Sequence, residues 1–258
     1  MKQELPSRLI KFCNLATGHM RGGLAQVSVL LSCLMGGISG SATADAAMES
    51  RILGPDMEKK GYSKGFTAAI LAMGGLITAT IPPSLGLILY GVTGEVSIGR
   101  LFLAGIVPGI LMTIVLMFAV SRISKKRDYA PEREKIATLP ELLKGLIDNI
   151  WALMFPVILI VGIRFGVFTP SEAGAFAVVY ALFVGMFVYR ELTVKKLIEC
   201  LATTAVDLSV IMFIIICSNA FGYAIVTGQL PQSLASFIVK LSENKYVIPD
   251  NRYVVCLC

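Results

Sequence analysis

The chain has 258 residues, of which 55% are hydrophobic and only 16% charged, and its mean hydropathy is +0.76. That balance excludes an ordinary soluble domain and makes the lipid bilayer the solvent. The net charge of +6 does not point to nucleic acid, because Lys and Arg come in short runs between apolar segments and not along one face.

The first stretch, 1–21, mixes polar and apolar residues without a continuous hydrophobic core. It reads as a cytoplasmic or interfacial segment and not as a cleavable signal peptide. Next comes 22–50, apolar on average but interrupted by Gly36, Gly37, Ser39, Gly40 and Ser41. Five stretches then approach the roughly 20 apolar residues that a crossing needs: Gly65 to Val92, Ile98 to Val120, Leu142 to Phe165, Ala173 to Tyr189 and Leu201 to Ile225. The last stretch, 226–258, is expected to be an amphipathic segment followed by a tail of lost apolar character.

Charge in the connections sets the orientation. Arg122, Lys125, Lys126, Arg127, Arg133 and Lys135 crowd the link 122–140, and Arg190, Lys195 and Lys196 follow a later span. Both links are expected in the cytoplasm, where short loops are enriched in Lys and Arg. Alternation then places Lys59, Lys60 and Lys64 inside, together with Arg8, Lys11 and Arg21. Both ends of 22–50 therefore face the same side, which predicts a re-entrant hairpin turning at its glycine- and serine-rich centre. An ordinary crossing with small residues at a helix contact is the alternative.

The span 65–92 carries Thr78, Thr80, Pro82, Pro83 and Ser84 close together. Two consecutive prolines remove two backbone donors, so a break at 78–84 is predicted. The freed carbonyls and the three hydroxyls form an oxygen-rich cluster suited to a hard cation such as sodium. A plain kink satisfied by neighbouring helices is the alternative. Asp45 is expensive at membrane depth without a partner or a task; a bound cation would supply the partner, and a helix cap near the interface is the other reading. Asp207 and Arg164 lie near span ends, within reach of the headgroups. The six cysteines show no ligand grouping beyond Cys256 and Cys258, which stand too isolated to form a metal site.

Five motifs in order resemble one family. They are Gly36-Gly-Ile-Ser-Gly-Ser-Ala-Thr-Ala-Asp-Ala-Ala47, Lys60-Gly61-Tyr62, Ile81-Pro-Pro-Ser84, Leu101-Phe-Leu-Ala-Gly-Ile-Val-Pro-Gly109 and Gly166-Val-Phe-Thr-Pro-Ser-Glu-Ala173 with Tyr180. From Gly22 to Leu241 the chain is similar to the large membrane subunit of tripartite ATP-independent periplasmic (TRAP) transporters. The resemblance implies an all-α integral membrane protein of the bacterial inner membrane, a polytopic helical transporter with a re-entrant hairpin and a broken helix. It implies sodium-coupled, elevator-type import of an organic acid, such as a C4-dicarboxylate or sialic acid. The acid would be handed over by a periplasmic binding protein, with a small membrane subunit as second partner and no cofactor beyond the coupling ion. Gly37, Ser39, Gly40, Ser41 and Asp45, with Thr78, Thr80, Pro82, Pro83 and Ser84, would form half of the ion and substrate site. Ser39, Ser41, Thr80 and Ser84 would supply oxygens to sodium. The basic link would join two inverted halves, and 141–225 would open the second repeat.

The family pattern also implies absences. A second hairpin, a second broken helix and the crossings ahead of the first hairpin have no counterpart here, so the expectation is a product truncated at both ends. A non-transporting membrane fragment is therefore one alternative. Another is an intramembrane serine protease, since Gly37-Ile-Ser39-Gly40 resembles the rhomboid nucleophile motif. That chemistry needs a positioned base, and the only histidine, His19, stands ahead of the hairpin, where a solvated or interfacial side chain is expected. A channel is disfavoured, because no charge ring or carbonyl filter repeats.

Overall fold

The computed structural model describes residues 4–133, 137–189, 192–229 and 232–233, and every regular element among them is helical. Lys135, Arg190, Cys256, Cys258 and most of the stretch 226–258 lie outside the described residues. The chain divides into two units, Met1–Val188 and Tyr189–Cys258.

In the first unit α1 (Glu4–Thr17) leads to α2 (Gly23–Ser39), α3 (Ala42–Ile52), the short α4 (Gly54–Lys59), α5 (Lys64–Thr80) and α6 (Leu85–Thr93). They are followed by α7 (Ile98–Arg127), α8 (Leu139–Asp148), α9 (Ile150–Arg164) and α10 (Pro170–Phe183), which continues as a π-helical turn over Val184–Val188. The second unit contains α11 (Val194–Thr227).

The core of the first unit forms around α2. Leu24, Ala25, Val27, Val29 and Leu31 are buried with Ile70 and Ile77 of α5, Val120 of α7 and Leu9 and Cys13 of α1. A helix apolar on nearly every side is stable only when other helices surround it. At 17 residues α2 is about 26 Å long and α3, with 11, about 17 Å. Neither reaches the roughly 30 Å of a hydrocarbon core. Between them Gly40 takes a left-handed conformation, φ +64°, and the Ser41 hydroxyl accepts the Ala44 N–H at 3.5 Å to start α3. The reversal expected over 36–41 thus narrows to Gly40 and Ser41; Gly36 and Gly37 stay helical because their missing side chains admit other helices.

By contrast, α7 (30 residues) and α11 (34 residues) are long and apolar enough to cross. The prolines do break the next span: α5 and α6 are bent by 47° across Ile81 to Ser84, with Thr78 and Thr80 still inside α5. Two readings of the sequence need correction. The stretch 142–165 is not one straight crossing, because α8 meets α9 at 69° around Asn149. Thr138 and Glu141 cap α8 reciprocally and start it as a separate amphipathic helix. The basic link also begins later than expected, since Arg122, Lys125, Lys126 and Arg127 belong to the last turns of α7. Cations there complement the negative end of the helix dipole.

Outside the apolar helices, Tyr62 and Tyr129 pack in a tilted pair with ring centroids 4.3 Å apart, and the Tyr129 hydroxyl accepts the Ser63 N–H at 3.2 Å. Arg127 lies 5.7 Å above the Phe66 ring, and Lys60 pairs with Glu132. Together these contacts fasten the start of α5 to the end of α7.

Candidate functional site

The two interruptions predicted separately from sequence meet in space. The Leu85 N–H, which an unbroken helix would give to Ile81, donates instead to the Gly40 carbonyl at 3.1 Å. A Cβ on Gly40 would stand 2.6 Å from the Pro83 oxygen; one on Gly37 would stand 2.9 Å from Pro156 on α9 and 3.9 Å from the Pro82 oxygen. Gly36 lets the Thr78 backbone approach, to 3.0 Å from its own would-be Cβ. Hairpin tip and helix break therefore form one backbone-to-backbone contact, tight enough that only glycine serves on the hairpin side.

Proline chemistry decides which oxygens are free. In an unbroken helix the carbonyls of Thr78 and Ala79 would accept from the N–H groups of residues 82 and 83, and both positions are proline, which has no N–H. The Ser84 hydroxyl donates to the Ala79 carbonyl, replacing one lost bond. The Thr78 carbonyl and, with Leu85 diverted, the Ile81 carbonyl remain outside the helical ladder. The Pro82–Pro83 peptide is cis.

Among the predicted side chains, Ser39, Ser41 and Asp45 share the tip. The Ser39 hydroxyl donates to the buried Asp45 carboxylate and accepts the Ser41 N–H at 3.3 Å. Asp45 therefore takes a neutral hydroxyl partner, and Ser41 acts as the helix cap. Ser84 is buried against the tip, whereas Ser39 is exposed. Thr78 faces α2 and donates to the Ser32 carbonyl at 3.1 Å. Thr80 is not brought into the cluster: its hydroxyl donates to the Leu76 carbonyl at 2.8 Å, its oxygen lies 3.8 Å from the Met112 sulfur, and its carbonyl packs against Gly105 of α7.

A hard cation is held by carbonyl, hydroxyl and carboxylate oxygens. The tip and the break supply all three, because the hydroxyl protons of Ser39, Thr78 and Ser84 already have acceptors and leave their lone pairs open. Among the described residues no group of three His, Cys, Asp or Glu side chains could hold a metal, so any ion here would rest mainly on neutral oxygens. Beside the contact lies an apolar cavity of about 360 Å³, lined by Ile38, Pro83, Phe102, Phe155, Ile163 and Ala173 among others. A larger open cleft of about 650 Å³ with Arg8, Lys11, Arg133 and Lys144 on its walls shares no residue with this site. His19, expected to be solvated or interfacial, is half-buried beyond the end of α1. The Ser39 hydroxyl is engaged by Asp45 and not by an imidazole.

Four residues escaped the sequence reading. Glu49 of α3 is buried, with Ser28 and Ser32 of α2 each 2.8 Å from its carboxyl. The signal was available: Ser28 and Ser32, like Asp45 and Glu49, are spaced by one helical turn and so share a face. Pro156 was read only as part of a span, although it packs under Gly37.

A hairpin of two short helices seated on a broken helix, with backbone carbonyls freed from the helical ladder by proline, fits the architecture of a helical membrane transporter. The chain belongs to the TRAP large permease family: residues 1–257 match the model of the "Tripartite ATP-independent periplasmic transporter, DctM component". It is 38% identical over 245 residues to the 2,3-diketo-L-gulonate TRAP transporter large permease protein YiaN of Escherichia coli, covering 93% of this chain and 55% of that protein. To the C4-dicarboxylate TRAP transporter large permease protein DctM of Pseudomonas aeruginosa it is 38% identical over 237 residues, covering 91% and 54% respectively. To the sialic acid TRAP transporter large permease protein SiaM of Vibrio cholerae it is 37% identical over 244 residues, covering 95% and 57%. The chain thus spans about half the length of these curated relatives. The family is one of multi-pass inner-membrane permease subunits and not of enzymes.

Proposed function

We propose that this chain contributes the first half of the ion and substrate site of a sodium-coupled TRAP importer of an organic acid. A periplasmic binding protein would deliver the substrate, and a small membrane subunit would complete the permease. The observation that carries this reading is the seating of Gly40 on Pro83 and Leu85. It brings the break, where proline removes two helical donors, next to the Ser41 cap and the Asp45 carboxylate at the tip.

The chemistry follows from that point. Sodium would use backbone carbonyls at the break together with the hydroxyls of Ser39, Ser41 and Ser84. The start of α3 adds a positive helix end, where the first N–H groups lack helical acceptors and favour a carboxylate. Anion and cation would thereby stabilise each other at the same tip, which is what coupling requires. The three relatives named above carry three different acids in their names, so the substrate class supported here is the carboxylate and no single compound.

Uptake into proteoliposomes, with the small subunit and binding protein supplied, tests the reading. This chain is compared with a version extended to the length of the relatives. Uptake that depends on sodium and is lost on Ser41→Ala with Ser84→Ala supports the proposal. Uptake that proceeds equally without sodium removes the ion from it.

A further inference from the structure

Glu49 has only 1% of its surface exposed and stands on α3 one turn beyond Asp45, away from the tip. Three helices enclose its carboxyl. From α2, the Ser28 hydroxyl donates to Oε2 at 2.8 Å and the Ser32 oxygen lies 2.8 Å from Oε1. From α5, Gly74 closes the third side so tightly that a Cβ there would stand 2.3 Å from Ser32 Oγ and 3.8 Å from Glu49 Oε2. The titratable groups that face it are Asp45 on its own helix and the Cys13 thiol on α1. Ion pairs among the described residues form elsewhere, between Lys59 and Asp56, Lys60 and Glu132, and Arg133 and Glu141.

Counting hydrogens distinguishes the two forms of this carboxyl. Ser32 Oγ carries one proton but has two acceptors in reach, the Ser28 carbonyl at 3.0 Å and Glu49 Oε1 at 2.8 Å. An ionised Glu49 leaves one of these contacts without a hydrogen, and it leaves a charge with no cation beside a second carboxylate a turn away. With a proton on Oε1 the chain closes. Glu49 Oε1–H donates to Ser32 Oγ, Ser32 Oγ–H donates to the Ser28 carbonyl, and Ser28 Oγ–H donates to Oε2. Every donor then has an acceptor and the cluster is neutral. A metal ion does not fit this place, because both carboxyl oxygens are in direct contact with hydroxyls and Gly74 fills the remaining side.

We propose that Glu49 is a proton-binding site of the hairpin, with the proton held on Oε1 at neutral pH between Ser28 and Ser32. The hairpin then carries a proton as a ligand of its own, whichever ion or acid binds at the tip. Proton release from Oε1 to the medium would place a negative charge under α2 and α5 and would loosen their packing on α3.

Infrared spectroscopy of the full chain in detergent, with and without carbon-13 glutamate, tests this. At neutral pH the folded protein should show the carbonyl stretch of a protonated carboxylic acid. The band should shift with the glutamate label, disappear in Glu49→Gln and persist in Asp45→Asn. An unperturbed glutamate ionises at about pH 4.3, well below neutrality, so exposed glutamates do not contribute. The proposal is overturned if the folded wild-type chain lacks the band, if the band ignores the glutamate label, or if it survives Glu49→Gln. Should Glu49→Gln fail to fold, the label in the wild-type chain decides alone.

Discussion

Replacing Gly40 with alanine should unseat the hairpin tip from the helix break. Gly40 holds φ +64°, in the left-handed region, where an L-residue costs roughly 1–2 kcal/mol. Its new Cβ would lie 2.6 Å from the Pro83 oxygen and 3.4 Å from the Pro83 carbonyl carbon. Those atoms are backbone and cannot rotate aside, so the 3.1 Å bond from Leu85 N–H to Gly40 must lengthen or break. A hydrogen bond is worth about 1 kcal/mol, which brings the expected loss to about 2–3 kcal/mol. Gly61 is the control, since it too has a left-handed φ, +84°, but nothing within 4 Å of a would-be Cβ. Gly61→Ala should therefore lose only the conformational part, roughly 1–2 kcal/mol. Reversible unfolding of both variants in mixed micelles with rising dodecyl sulfate measures the difference. If Gly40→Ala loses no more than Gly61→Ala, the close contact between tip and break is wrong.

Further outcomes follow from the same geometry. Changing Pro82 and Pro83 together to alanine returns two donors to the carbonyls of Thr78 and Ala79, so the 47° bend should relax toward one helix. Any sodium-dependent rise in melting temperature should vanish with it, and a rise equal to that of the wild-type chain would refute the role given to the break. Gly105→Ala forces a Cβ to within 2.6 Å of the Thr80 carbonyl and should destabilise by roughly 1–3 kcal/mol. Gly174→Ala, with nothing within 4 Å, should be neutral or mildly stabilising in the same unfolding assay. Burial, reinforced by the Glu132 carboxylate, pushes the Tyr62 phenol up to about 12. The unfolded chain then loses this proton first, so the contribution is complete below about pH 10 and is lost as pH rises through the folded value, amounting to roughly 2–3 kcal/mol. An unfolding series across alkaline pH should show this fall in the wild-type chain and a flatter profile in Tyr62→Phe.

How much of this was readable in advance depends on the residue. The hairpin was visible because Lys and Arg fall on both flanks of an apolar stretch with a glycine-rich centre, but its turn was placed too broadly. Nothing local distinguishes Gly40, which reverses the chain, from Gly36 and Gly37, which stay helical to admit Thr78 and Pro156. Asp45 was singled out by the cost of its charge. Glu49 was not, since it stands near the polar end of the hairpin, where a carboxylate needs no explanation until α2 and α5 are seen to bury it.

The sequence by itself determined the solvent of this protein, its helical class and the places where helices stop. Hydropathy, the absent N–H of Pro82 and Pro83, and the backbone freedom of glycine are properties of single residues and their immediate neighbours, so they survive without any fold. Tertiary structure alone decided which interruption faces which. It turned Thr80 toward α7 and Ser84 toward the tip, gave Leu85 to Gly40, and set two serines around Glu49. The orientation of a side chain around a helix and the pairing of segments far apart in the chain are settled by packing, to which many residues contribute together, and no short motif encodes them.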